Sequence, residues 1–155
     1  FWRIRDFNNK NAWDNFKSCK MIIGIGTDIL DQRRIKKIIN KYDKKFIDRI
    51  YGKKEIQIAQ NKFNYSENYL GKRFAAKEAT WKALSSTRGG ELFFREIETL
   101  NDANGKPYLS FTGKTKDFIK KKEIQLKARL RFNISLSDDN PYVIAFVIIS
   151  LAPYV

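Results

Sequence analysis

Histidine is absent from the 155 residues, and cysteine occurs once, as Cys19. The first absence removes a Ser-His-Asp triad, a histidine general base and a Cys/His zinc site. The second removes a disulfide framework within the chain. Acid–base chemistry therefore falls to carboxylate, lysine, tyrosine or a metal-bound water. Any metal is expected to be a hard, oxygen-preferring ion such as magnesium. Apolar runs near the roughly 20 residues needed to cross a bilayer are also missing. The longest, Tyr142 to Val155, is broken by Ser150 and Pro153, and its valines and isoleucines suit a buried strand. Acidic side chains are scarce beside basic ones, 17 against 31, which leaves a net charge of +14.

Apolar residues make up 43% and aromatics 14%, enough for a folded domain with a core. That domain is expected over residues 21–155. Residues 1–20 are polar, asparagine-rich and without periodicity. They read as an amino-terminal extension, either the remnant of a targeting segment or an inert addition. The positive charge implies an anionic partner: nucleic acid, an acidic protein or a phosphorylated small molecule. It is spread along the chain and mostly lysine, so much of it serves as solubilising surface.

Met21 to Asp28 reads as a buried strand whose Gly24 and Gly26 permit close backbone approach. Asp28 stands at its exit, as N-cap of a helix over Ile29–Asn40 or as a metal ligand. Arg33, Arg34, Lys36 and Lys37 on that helix form a solvated face or a docking surface for an acidic partner. Short helices follow over Lys44–Tyr51 and Lys53–Lys62, then a polar loop over Asn61–Asn68. From Gly71 to Leu84 the residues favour a helix on which Phe74, Glu78 and Lys82 share a face. Arg73, Lys77 and Lys82 bring cations towards Glu78. Two readings fit: a surface Glu–Lys pair, or an acid holding a divalent cation beside a phosphate. Ser85 to Gly90 is a loop that can hold a phosphate or merely connect. Strands are expected over Leu92–Leu100 and Tyr108–Phe111 around the Asp102–Pro107 turn, and a helix over Thr115–Lys122. Two further strands, Ala128–Ser137 and Tyr142–Leu151, are joined by a turn at 138–141.

Four segments together resemble the holo-acyl carrier protein synthase family. Gly24-Ile25-Gly26-Thr27-Asp28-Ile29 resembles its opening strand. Arg73-Phe74-Ala75-Ala76-Lys77-Glu78-Ala79 with Lys82-Ala83 resembles its signature helix. Asn104-Gly105-Lys106-Pro107 resembles its hairpin turn, and Ile134-Ser135-Leu136-Ser137-Asp138 a later strand. The resemblance implies an α+β fold in which a small antiparallel-rich sheet packs on a long central helix and shorter helices. It implies a magnesium-dependent 4′-phosphopantetheinyl transferase moving phosphopantetheine from coenzyme A to a serine of apo acyl carrier protein, in support of fatty acid synthesis. It implies Asp28 and Glu78 as metal ligands, with Glu78 and Lys82 catalytic. Arg73, Lys77, Lys82, Lys106 and Pro107 become candidate coenzyme A contacts, and Arg33, Arg34 and Lys37 candidate carrier-protein contacts. For the base that activates the serine, a metal-bound water and Glu78 both qualify. A homotrimer with sites between subunits is implied as well.

The chain departs from the family pattern at Ser85-Ser86-Thr87, where members carry Gly-Thr-Gly. It departs again at Asp138, where some carry histidine, and at Trp81, usually smaller. Competing classes are a basic nucleic-acid-binding module, for which no signature such as an RRM or zinc finger appears, and a silent carrier-protein-binding subunit. The expectation is neither nucleic acid nor membrane as partner. Abundant asparagine, lysine and isoleucine with an amino-terminal extension suggest a plastid-like organelle such as an apicoplast, and otherwise the cytoplasm.

Overall fold

The structure, a computed structural model, describes residues 21–84 and 92–152. The expectations for residues 1–20 and for the Ser85–Gly90 loop fall outside them. Strand β1, Ile22–Asp31, pairs antiparallel with β5, Tyr142–Ala152, which pairs antiparallel with β4, Arg129–Asp139. The order is β1-β5-β4. A separate hairpin joins β2, Ile97–Asn101, to β3, Pro107–Phe111. The helices are α1, Gln32–Ile50; α2, Lys53–Phe63; α3, Glu67–Ala83; and α4, Gly113–Leu126. A single 3₁₀ turn, Phe94–Glu96, precedes β2.

Period-2 alternation gives the sheet two unlike faces. On β5, Val143, Ala145, Val147 and Ile149 are buried beneath α3, whereas Ile144 and Phe146 face outwards. On β1 the inward set is Gly24, Gly26, Asp28 and Leu30. Helix α3 presents Ala75, Ala79 and Ala83, all buried, in an i, i+4, i+8 row. Small side chains on both partners let the helix lie almost on the strand backbone. A Cβ on Gly24 would collide with the Ala83 carbonyl, and one on Gly26 with the Ala79 carbonyl. This contact fixes where Asp28 lies relative to α3.

Several boundaries differ from the sequence reading. Strand β1 continues three residues past Asp28, because Ile29 and Leu30 pair with Ile144 and Val143. The N-cap of α1 is consequently Asp31, whose carboxylate accepts from the Arg33 amide at 2.9 Å. Asp28 has no capping role. Helix α1 runs unbroken through the residues expected to form a second helix. Helix α3 begins in the supposed loop, capped by Ser66, whose hydroxyl accepts from the Tyr69 amide. Gly71, an unfavourable interior residue worth about 1 kcal/mol against alanine, masked that first turn. The expected Leu92–Leu100 strand opens as the 3₁₀ turn.

Candidate active site

Strand β1 and helix α3 bring three of the expected groups together. Asp28, the inward residue beyond the glycine notch, has a side chain 16% exposed. Lys82 Nζ donates to its Oδ1 at 2.8 Å and to the Thr27 carbonyl at 3.0 Å. Glu78 lies one turn before Lys82 on the same face of α3 and is half-buried. Burial pushes its carboxyl above the ordinary range, the Asp28 charge pushes it further, and Lys82 pulls the other way. Two acids close enough to repel, with a lysine on one of them, form a site that favours added positive charge.

Aromatic rings flank Glu78. Phe74, Glu78 and Trp81 follow one another at i, i+4 and i+7 on α3. The Phe94 ring meets Phe74 edge-on at 5.9 Å and Trp81 edge-on at 5.6 Å. Trp81 thus shares the face of α3 that carries the acid and also packs against the core.

Two of the expected coenzyme A contacts, Lys77 and Arg73, do not join Asp28 and Glu78 within the chain. Lys77 is fully buried and points away from Glu78. Its ammonium donates to Glu55 Oε2 at 2.6 Å, to the Phe94 carbonyl at 3.0 Å and to the Ile97 carbonyl. With all three protons used inside the protein, it has none for a surface ligand. Burial pulls its pKa down, and Glu55 opposes that pull. Arg73 is 6% exposed, donates to Asn101 Oδ1 at 2.7 Å and lies over the Tyr69 ring at 3.8 Å. It lines a cavity of about 400 Å³ with Lys62, Phe63, Lys72 and Gly105, on the side of α3 away from Glu78. Spacing of four residues places Arg73 and Lys77 on one row and Glu78 on another, so neither joins the acid.

Lys106 and Pro107 lie elsewhere too, on a cavity of about 310 Å³ bordered by Asp102, Tyr108, Phe132 and Ile134. The Lys106 amide donates to Asp102 Oδ1 within the turn. Arg33, Arg34 and Lys37 are exposed on α1. Arg33 forks onto Asp31, with Nη2 to Oδ2 at 2.6 Å, and this holds the Asp31 carboxyl below its usual range. Asp138 accepts from Lys72 at 2.9 Å and Asn68 at 2.9 Å, which lowers it likewise. Glu55 escaped the sequence reading. Nothing local marks a helical glutamate as the buried partner of a lysine 22 positions on.

The model of the 4′-phosphopantetheinyl transferase superfamily matches residues 24–147. The chain belongs to this superfamily. The match contains both glycines, Asp28, Glu78 and Lys82. The transferase is 46% identical over 132 residues to a Wolbachia protein from Drosophila simulans named holo-acyl-carrier-protein synthase, covering 83% of this chain and 98% of that one. The crystal structure of the holo-acyl-carrier-protein synthase of Neisseria meningitidis superposes with a TM-score of 0.73 at 36% identity, covering 83% and 98%. A Bacillus anthracis synthase solved in complex with coenzyme A (3′,5′-ADP) gives 0.65 at 31% identity, covering 84% and 97%. The α+β architecture is thus shared with solved members.

Among the described residues no group of three or more acidic, thiol or imidazole side chains surrounds a metal position. A carboxylate pair still suits magnesium, which retains waters and takes substrate phosphate oxygens alongside one or two acids. Burial raises Glu78 and the Asp28 charge adds to it; a divalent cation held by the two acids would offset that charge.

Proposed function

We propose that this transferase moves 4′-phosphopantetheine from coenzyme A to a serine of apo acyl carrier protein. The serine oxygen forms a bond to the phosphorus bearing the pantetheine arm. The bond from that phosphorus to the bridging oxygen breaks, and adenosine 3′,5′-bisphosphate leaves. The observation carrying this reading is the meeting of Asp28, Glu78 and Lys82 where β1 crosses α3.

Asp28 and Glu78 would hold magnesium. When bound, it neutralises pyrophosphate charge and makes the phosphorus more electrophilic. Lys82, tethered by Asp28 and the Thr27 carbonyl, directs its charge at the oxygen on which negative charge grows, and supplies a proton there if one is needed. Glu78, its carboxyl raised by burial, is a base able to take the serine proton. The stripe of Phe74, Phe94 and Trp81 keeps water from one side of the acid.

Acidic carrier protein docks on Arg33, Arg34 and Lys37, with Arg34 the leading contact because Arg33 is already engaged by Asp31. Copies of the chain associate through the outer sheet face, where Ile25, Ile29, Ile144 and Phe146 stand 40–63% exposed. A homotrimer with sites between subunits would also explain why Lys106 and Pro107 lie apart from Asp28 within one chain. The named relative from Wolbachia is bacterial and favours the cytoplasm over a plastid-like organelle.

The test is intact-mass spectrometry of apo acyl carrier protein incubated with the transferase, coenzyme A and magnesium. A gain of one phosphopantetheine supports the reading. An unchanged carrier mass with strong salt-dependent RNA binding would overturn it in favour of a nucleic-acid module.

A further inference from the structure

Lys77 and Glu55 are both completely buried, an unusual place for two charges. Their bonds span four parts of the fold. Lys77, on α3, reaches Glu55 on α2 and two carbonyls at the 3₁₀ turn and the start of β2. Glu55 Oε2 also accepts from the Gly52 amide at 3.0 Å, and its Oε1 accepts from the Thr99 amide at 2.9 Å. Every proton of the ammonium is used, and both carboxylate oxygens are engaged. A buried ion pair adds little stability over well-packed apolar residues of equal volume. What it supplies is geometric: one arrangement satisfies it, and others strand a charge in the interior.

Lys77 immediately precedes Glu78. Successive helix residues differ by about 100° around the axis, so fixing one fixes the other. The glycine notch on β1 and the alanine row on α3 set how near the helix lies. Rotation is restrained at the surface by the Lys82–Asp28 bond and in the interior by the Glu55–Lys77 pair. A turn of about 20° would carry a carboxylate some 5–6 Å from the axis through about 2 Å, far beyond the roughly 0.5 Å tolerated at a reacting site.

We infer that the Glu55–Lys77 pair is a positioning device that sets the rotation of α3 and so aims Glu78 at the cation shared with Asp28. The pair touches neither substrate nor metal. The inference rests on the reading of Glu78 as a cation ligand.

The experiment compares Glu55→Met/Lys77→Met, Glu55→Gln and Glu78→Gln with the unmodified protein. Readouts are Tm, kcat, KM for coenzyme A and the magnesium concentration giving half-maximal activation. In the folded double variant kcat should fall at least twentyfold and half-activation should need at least tenfold more magnesium. KM for coenzyme A should stay within threefold. Glu55→Gln, which keeps the shape but not the charge pair, should shift kcat and magnesium the same way by a smaller factor. A purely stabilising pair would move Tm alone. Unmodified kcat and magnesium dependence in the double variant, or in Glu55→Gln should the double variant not fold, overturns the inference while a defective Glu78→Gln leaves the cation reading standing. Full activity in Glu78→Gln overturns both.

Discussion

Glu78 shows how one side chain trades stability for activity. Burial and the Asp28 charge raise its pKa above the unfolded value. The unfolded chain thus ionises it more readily, so at neutral pH its charge costs the metal-free fold, and this cost fades as pH falls through the raised value. Glu78→Gln removes the cost together with the ligand. Calorimetry of the metal-free variant at pH 7 should show a higher Tm than the parent. In the mass assay turnover should drop roughly a hundredfold or more, the scale of several kcal/mol of lost metal assistance. A lower Tm would contradict the electrostatic account, and preserved turnover the catalytic one. Lys82→Met should leave carrier-protein KM unchanged while lowering kcat. An unchanged kcat would remove Lys82 from the chemistry.

At the scale of elements, the contact between β1 and α3 decides everything nearby. Gly26→Ala places a methyl against the Ala79 carbonyl, a backbone atom that cannot swing aside. Overpacking of this sort costs about 1–3 kcal/mol, or roughly 2–12 °C in Tm for a chain of this size. Thermal circular dichroism checks it, and an unchanged Tm would mean the notch is looser than described. The parts of this contact were legible in the sequence, though not their pairing: two glycines alternating with apolar residues, then Asp28, and an alanine-rich helix with Glu78 and Lys82 one turn apart. Less legible were the ends. Asp28 and Asp31 are equally good caps, and the pairing of Ile29 and Leu30 with β5 selected the later one. The burial of Lys77 was hidden for a different reason. Helical spacing tells which residues share a row, but which row faces inwards depends on Glu55 and on β2, both distant in the chain.

For the whole molecule, the exposed outer sheet face and the scattered positive charge remain to be used. If copies associate as proposed, Phe146→Lys should convert the assembly to monomers in analytical ultracentrifugation and lower turnover with it. An unaltered sedimentation profile would place the interface elsewhere. Stability should also follow acid titration. Asp31, Glu67 and Asp138 have lowered values set chiefly by hydrogen bonds from Arg33, the Glu67 backbone and Lys72. Their contribution is full above the unfolded carboxylate range and is lost as pH falls through the lowered values. In Glu78→Gln, where the cost of that acid is absent, urea midpoints should thus be flat from neutrality to about pH 5 and decline below pH 4. No decline there would show these pairs to be idle. The proposed reaction depends on a cation shared between β1 and α3. Its most direct test is manganese binding followed by electron paramagnetic resonance with coenzyme A present. Asp28→Asn and Glu78→Gln should each weaken binding at least tenfold while Glu67→Gln, at a surface carboxylate paired with Lys36, does not. Manganese bound equally tightly by either site variant and by the parent protein would contradict it.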